Sequence, residues 1–221
     1  LTQACVEGDE QAVQRLLDGG SDPNESTGRS WPHAENPLHA AAINGHVSIV
    51  QTLIQAGANV SVSDDLVVDT AIRGHAEALR VLLAAGARMD RSSEYPLSAH
   101  CYSDYYRVEK DKDVEVVQVL LEAGADVEAR GLFDKPMLHI AVLWHRPRIV
   151  KLLVQAGASL ESKDKNMTPL NHAAREGYLD IAKFLVEAGA NIDHEGIFGT
   201  PLISAAKNGH ADMVEFLVNS G

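Results

Sequence analysis

The side chains that could do chemistry in this chain are ten histidines, two cysteines and 31 acidic residues. Their spacing forms no His-Glu-x-x-His, Cys-x-x-Cys or Gly-x-Ser-x-Gly motif, no Walker loop and no Gly-x-Gly-x-x-Gly turn. The pair His100-Cys101, with Tyr105 nearby, is the one candidate for a nucleophilic site. Because no third partner accompanies it at a recognisable spacing, we predict no catalytic, metal or cofactor site.

The charge balance narrows the class of partner. The formal net charge of −12 argues against the backbone of a nucleic acid as the main partner. No apolar run reaches the roughly 18 residues that membrane insertion requires. Cys5 and Cys101 are too far apart to suggest a disulfide framework, so we expect a reducing, intracellular and cytoplasmic location.

The clearest structural pattern is the stretch from Thr168 to Asp193, which predicts two short helices and a tight turn. Thr168-Pro169 is a good helix start, because threonine caps the helix and proline suits its first position. Gly177 and Gly189 predict the two helix ends. Since such a helix pair cannot bury its own apolar faces, it needs copies on either side.

The same spacing of two turn glycines recurs along the chain. Glycines stand twelve residues apart at Gly8 and Gly20, Gly45 and Gly57, Gly74 and Gly86, Gly177 and Gly189, and Gly209 and Gly221. Two further units are recognisable although each has only one of the two glycines, one ending in 116–129 and the other at 136–158. We therefore predict a single domain over 1–221 with seven repeats, at 1–29, 30–63, 64–93, 94–130, 131–163, 164–195 and 196–221.

These units resemble the ankyrin repeat, which carries a Thr-Pro-Leu-His-x-Ala signature. The matching residues are Pro37-Leu38-His39-Ala40-Ala41, Leu138-His139-Ile140-Ala141, Thr168-Pro169-Leu170 and Thr200-Pro201-Leu202. The turns Gly45-His46, Gly74-His75 and Gly209-His210 match as well. The resemblance implies an all-α solenoid with projecting hairpin loops, in which His39 and His139 hydrogen-bond neighbouring backbone. It also implies that partners bind to those loops and to the exposed face of the first helices.

Departures from the repeat pattern are the places where function is expected. The loop at 21–36 is long and holds Trp31, and LVVDTA at 66–71 lacks the proline, which predicts an irregular helix. An insertion of about eight residues falls within 100–113. In the last unit, Met213 and Leu217 are expected near an open end. That end and the first residue, Leu1, lead us to expect that the chain is an excerpt of a longer one.

Several first-helix ends and loop tips carry exposed apolar or arginine side chains, which are typical of binding hot spots. The loop tips are predicted to expose Met167, Ile197 and Phe198. The predicted partner-binding residues are Trp31, Ile72, Arg73, Tyr102, Tyr105, Tyr106, Phe133, Leu143, Trp144 and Arg175. Equally, Tyr102 and Trp144 could pack together beneath the insertion as a local core.

The sequence thus predicts a non-catalytic module that docks a peptide or a folded protein across its concave groove. The alternative is the regulatory or targeting segment of a larger enzyme, ion channel or signalling receptor, with the activity elsewhere. A third reading makes the chain itself an enzyme through His100, Cys101 and Tyr105.

Overall fold

The computed structural model of the chain describes residues 1–26, 36–61, 65–88, 97–98, 100–101, 110–131 and 134–221. The chain divides into two compact units, Leu1–Pro96 (the N-terminal unit) and Leu97–Gly221 (the C-terminal unit). Within the described ranges there is no β-strand. Thirteen helices are bounded there: α1 Thr2–Glu7, α2 Glu10–Asp18, α3 Pro37–Ile43, α4 Val47–Gln55, α5 Asp65–Ile72, α6 Ala76–Ala84, α7 Asp111–Glu122, α8 Met137–Leu143, α9 Pro147–Gln155, α10 Pro169–Glu176, α11 Leu179–Glu187, α12 Pro201–Lys207 and α13 Ala211–Ser220. Leu97, Ser98, His100 and Cys101 are also helical.

The N-terminal unit consists of three stacked helix pairs. The first helix of each pair (α1, α3, α5, here called inner helices) contacts the next inner helix, and the second helices (α2, α4, α6, outer helices) contact one another likewise. The core between them is aliphatic, with Leu38, Leu53 and Leu79 almost completely buried. The expectation that α5 would be irregular was wrong. It forms a regular eight-residue helix. Asp65 lies in its first turn, where the helix dipole favours a negative charge.

The C-terminal unit repeats this arrangement. The inner helices α8, α10 and α12 contact in series, and so do the outer helices α7, α9, α11 and α13. Thr168 caps α10 as predicted, because its hydroxyl accepts the backbone N–H of Asn171 while the Asn171 amide oxygen accepts that of Thr168. Isolated bridges close three hairpin loops, at Arg130–Pro136, Asp164–Met167 and Gly196–Gly199. The predicted all-α repeat architecture is therefore confirmed within each unit.

A glycine–histidine contact joins the turns of successive helix pairs. The ring of His46 lies against Gly8, that of His75 against Gly45, and that of His210 against Gly177. A Cβ atom at Gly177 would lie only 2.6 Å from Nδ1 of His210. The turn glycine is thus required both by its positive φ and by the ring that covers it.

The imidazole of this contact also satisfies backbone groups of the preceding pair. Nε2 of His46 is 3.2 Å from the carbonyl oxygen of Val6, and Nε2 of His210 is 2.9 Å from that of Arg175. Those carbonyls stand at the C-terminal ends of inner helices, where acceptors lack intrahelical donors. Each histidine therefore both fills the space above a glycine and satisfies a helix end.

One turn uses a different pair of residues for the same contact. His145 replaces the glycine, at φ 51°, and Tyr178 replaces the histidine of the following turn. The two rings stack, with centroids 4.2 Å apart, and Nε2 of His145 lies 3.1 Å from Oδ1 of Asp180. The stacking and the carboxylate contact offset the cost of the left-handed backbone.

The hairpin loops of the C-terminal unit rest on a buried pair of histidines. His139 and His172 meet edge to face, with ring centroids 5.2 Å apart. Nε2 of His139 donates to the carbonyl oxygen of Ser162 over 2.8 Å, which confirms the backbone bond predicted for His139. His39 instead contacts a side chain, since its Nε2 is 3.1 Å from Oδ2 of Asp69.

Burial sets the charge state of this pair. Burial, together with the neighbouring His139, lowers the pKa of His172 to about 4, against a weaker opposite effect of Asp164. Burial likewise lowers the pKa of His139, and its bond to Ser162 opposes that only in part. Burial would raise the pKa of Asp164, but the hydrogen bond and the charge of Lys135 outweigh it and hold that pKa below its usual value. Both imidazoles are therefore neutral in the folded protein at pH 7.

Replacing Gly177 by alanine tests the glycine–histidine contact. We expect the free energy of unfolding to fall by about 1–3 kcal/mol beyond the cost of placing alanine at a positive φ, because the new methyl group overlaps the His210 ring. Gly209→Ala is the matched control, since φ is 77° there against 78° at Gly177 and a Cβ meets no atom within 4 Å. Midpoints of urea unfolding give the comparison, and equal losses in both variants would contradict the role of the contact.

The buried histidines predict a loss of stability in mild acid. A folded-state pKa below the unfolded value means that protons bind the unfolded chain more tightly, so stability falls as the pH drops from about 6.5 towards 4. His172 alone accounts for about 2 kcal/mol between pH 7 and pH 5. Urea unfolding of His172→Ala at pH 7 and pH 5 should show a difference in the free energy of unfolding that is smaller than that of the parent chain by about 2 kcal/mol. Alanine fits at this position because Ala40 occupies the equivalent position of another repeat. An unchanged pH dependence in this variant would contradict the assignment.

Candidate functional site

The ends of the inner helices in the C-terminal unit form a row of side chains just before the turns. Leu143 ends α8, Trp144 caps it, Arg175 lies in the last turn of α10, and Lys207 ends α12. Because α8 contacts α10 and α10 contacts α12, these equivalent positions follow one another from repeat to repeat. Leu143, Trp144 and Arg175 are half-buried and Lys207 is exposed. We call these four residues the inner-helix row.

A hairpin tip adjoins the row at Phe198. Phe198 is 42% exposed and its neighbour Ile197 is 56% exposed. The guanidinium carbon of Arg175 lies 4.8 Å from the centroid of the Phe198 ring, a cation–π contact. Nζ of Lys207 donates to the carbonyl oxygen of Phe198 over 3.3 Å. Two basic side chains of the row thus hold one aromatic loop tip.

In the N-terminal unit the predicted site residues lie at the end of α5. The side chain of Ile72 is 40% exposed and Arg73 is exposed beside it. Both are accessible to a partner, as an interaction role requires. Trp31, Tyr102, Tyr105, Tyr106 and Phe133 lie outside the described residues, so their binding role stays a prediction from the sequence.

Three apolar residues expected at exposed positions are buried. Met167 is only 2% exposed, because the bridge that closes its hairpin turns the chain inward directly before the Thr168 cap. In the last repeat, Met213 and Leu217 are buried, since α13 packs them against α11 and α12. The large apolar residues exposed on the two helices of that repeat are Leu202, Ile203 and Val218. The sequence analysis assigned Leu202 to the repeat signature, and nothing in the sequence pattern indicated that Ile203 is exposed.

The candidate nucleophile lies in the interior. Nδ1 of His100 is 2.9 Å from Oδ1 of Asp113, and both side chains are almost fully buried. Burial raises the pKa of the Cys101 thiol to about 12, and the charge of Arg146 offsets that only in part. A thiol that is protonated and fully buried cannot act as a nucleophile. The geometry of the described residues therefore favours a structural role for this pair.

Metal and membrane sites find no support in the part of the chain that is described. No group of three or more histidine, cysteine, aspartate or glutamate side chains converges there with the geometry of a metal site. No helix in the same ranges combines the length and the apolar character needed to cross a bilayer.

The solved structures that resemble the chain are ankyrin repeat domains. The ankyrin repeat domain of human ASB11 covers 100% of this chain and 96% of its own, with a TM-score of 0.68 at 22% sequence identity. The ankyrin repeat domain of Bcl-3 covers 97% of this chain and 96% of its own, with a TM-score of 0.69 at 24% identity. At such identities the likeness shows the shared fold.

Curated relatives match through the same repeats. The mitochondrial disaggregase of Bos taurus is 28% identical over 183 residues, which make up 80% of this chain and 21% of that protein. The ankyrin repeat protein nuc-2 of Neurospora crassa is 30% identical over 189 residues, 80% of this chain and 16% of the relative. Protein fem-1 homolog C of Danio rerio is 44% identical over 57 residues, 26% of this chain and 9% of the relative. The chain therefore spans less than a quarter of the length of these proteins.

Family models cover nearly the whole sequence. The model described as ankyrin repeats in three copies matches residues 1–93 and 106–196, and the model of a single ankyrin repeat matches 199–221. Together with the stacked helix pairs and their glycine–histidine turns, these matches establish that the chain belongs to the ankyrin repeat family, whose repeats generally act as protein–protein interaction modules.

Proposed function

We propose that the chain recognises another protein, as a peptide or a folded surface, through the inner-helix row and the Phe198 hairpin. The observation that carries the proposal is the clustering of accessible apolar and cationic side chains there, while the candidate nucleophile Cys101 is buried. No catalytic step is assigned to the chain. The side chains instead supply the contact types that protein interfaces concentrate.

Leu143 and Trp144 supply the apolar part of this surface. Both are half-buried, so their backbone is held by α8 while part of each side chain reaches solvent. Tryptophan is among the residues that contribute most to interfaces, because a large rigid ring loses little conformational freedom on binding. A partner that covers this ring gains apolar burial at low entropic cost.

Arg175 supplies a directed hydrogen-bond donor. A guanidinium is planar and presents donors in a rigid fork that matches a carboxylate or backbone carbonyls. Contact with the Phe198 ring limits its rotamers before a partner arrives. The arginine is thus oriented in advance, which lowers the entropy lost on binding.

Residues elsewhere are proposed as further contacts. Ile72 and Arg73 are proposed as partner contacts of the N-terminal unit, where both are exposed. The sequence adds Trp31, Tyr102, Tyr105, Tyr106 and Phe133 to the same proposal. Two buried free cysteines fit a reducing environment, so we place the interaction inside the cell, in the cytoplasm.

A second candidate is that the chain directs or regulates an activity located elsewhere in a longer protein. Its support is the small share of each curated relative that the chain spans, 21% of the mitochondrial disaggregase among them. The recognition surface would then be the same, and its partner would be the substrate, the regulator or the anchoring protein of that activity.

Peptide selection tests the recognition surface directly. Peptides would be selected from a random display library on the full 221-residue chain, and their affinity measured for the double variant Leu143→Ala, Trp144→Ala. We expect a loss of roughly thirtyfold, corresponding to about 2 kcal/mol for an aromatic anchor.

Phe184→Ala is the matched control, because it removes an aromatic ring from the outer helix α11. Its affinity should equal that of the parent chain, and thermal unfolding should be nearly unchanged in the double variant. Equal weakening in both variants would contradict the proposal, as would intact binding together with a large loss of stability in the double variant. The second outcome would assign Trp144 to the core.

A further inference from the structure

Several stretches of this acidic chain carry no negative charge, and one of them includes the Phe198 hairpin. Residues 196–211 contain no aspartate or glutamate, although the chain has 31 such residues in 221. The same stretch exposes Ile197 and Phe198 at its hairpin and ends its inner helix with Lys207. An apolar surface with a basic edge is therefore set into a protein of net charge −12.

Arg175 extends this basic edge by one repeat. Its guanidinium rests on the Phe198 ring, and its side chain keeps 41% of its surface exposed. Nε of Arg175 lies 3.9 Å from Oε1 of Glu176, an ion pair beyond hydrogen-bond distance. Within the described residues the guanidinium donates no hydrogen bond, so its fork remains available to an incoming carboxylate.

Lys207 provides a second donor at the equivalent position of the next inner helix. Its Nζ uses one donor on the carbonyl oxygen of Phe198, and an ammonium group has three. That bond holds the charge beside the aromatic ring. Leu143 occupies the position equivalent to Arg175 one repeat earlier, with Trp144 next to it, so the row changes from apolar to cationic along the stack.

We infer that the inner-helix row binds an acidic peptide in which an apolar side chain is followed by two carboxylates spaced about three residues apart. Packed helices lie roughly 8–10 Å apart, and an extended chain advances about 3.3 Å per residue, so each repeat spans about three residues of ligand. The apolar side chain would cover Leu143 and Trp144, and the carboxylates would meet Arg175 and Lys207. This inference rests on the function proposed above.

Charge makes the site selective as well as attractive. The net negative charge of the chain repels such a peptide, so its approach is favoured where basic side chains cluster, as at Arg175 and Lys207. Glu176 is the acidic neighbour that competes for Arg175, and it tunes the affinity rather than closing the site, because its contact is long. Binding should weaken as salt is added, since exposed charges are screened within about 10 Å at 0.1 M.

The test compares selected peptides on the parent chain and on charge-reversed variants. Selection from the random library should enrich glutamate or aspartate at two positions about three residues apart, after an apolar residue. A synthetic peptide of that pattern should lose at least about tenfold in affinity for Arg175→Glu and for Lys207→Glu. Lysines in place of its two carboxylates should restore binding to the double reversal, which a merely structural role would not produce.

Lys183→Glu is the control, because it reverses a charge on the outer helix α11 over Phe216 and should leave affinity unchanged. Peptides without carboxylates that still require Leu143 and Trp144 would overturn this inference and leave the proposed function standing. Peptides that require none of these residues would overturn both. The inference would also be overturned if sedimentation showed that the chain self-associates through the inner-helix row and if the selection yielded no acidic peptide.

Discussion

The contact between a turn glycine and the ring of the following repeat is the constraint on which the rest of the structure depends. A single helix pair would not be stable by itself, since it buries its apolar face only against the neighbouring pairs. The glycine lets the turn adopt positive φ, and its missing side chain leaves room for the imidazole. His210, for example, fixes the end of α10 through the carbonyl of Arg175, and so it sets the position of a proposed binding residue.

This constraint explains why departures from the pattern come in matched pairs. The side chain of His145 fills the space that a glycine would leave open, so a ring cannot pack there as the His210 ring packs against Gly177. The ring of Tyr178 instead stacks on the ring of His145. Interactions in the loops follow a similar rule. Glu161 accepts the backbone N–H of Asn191 and Glu128 accepts that of Ser159, so in these two repeats a carboxylate fixes the next loop. Stability is consequently shared between neighbours rather than held in one central core.

Much of the fold could be predicted because the repeat pattern is local. Thr168, Pro169 and Gly177 specify a cap, a first turn and a helix end through short-range physics alone. The prediction was wrong where tertiary contacts decide. Asp65 starts a regular α5 without proline, and a closed hairpin buries Met167, which alternation of polar and apolar residues could not distinguish from an exposed tip.

The candidate site was accessible to sequence reasoning only in part. Arg175 and Phe198 could each be singled out, but their cation–π contact spans a hairpin and two helices, and no local pattern encodes it. The neutral pair His139 and His172 was equally hidden, because His172 occupies a variable position of the signature. Such contacts follow from the stacking of repeats, which places equivalent positions side by side.

Hydrogen exchange of the full chain with and without a selected peptide tests the central claim most directly. We expect slower exchange of backbone amides at 143–146, 175–177 and 196–199, with the outer helices α9, α11 and α13 unchanged. Protection confined to the outer helices, with no change at the inner-helix row, would contradict it.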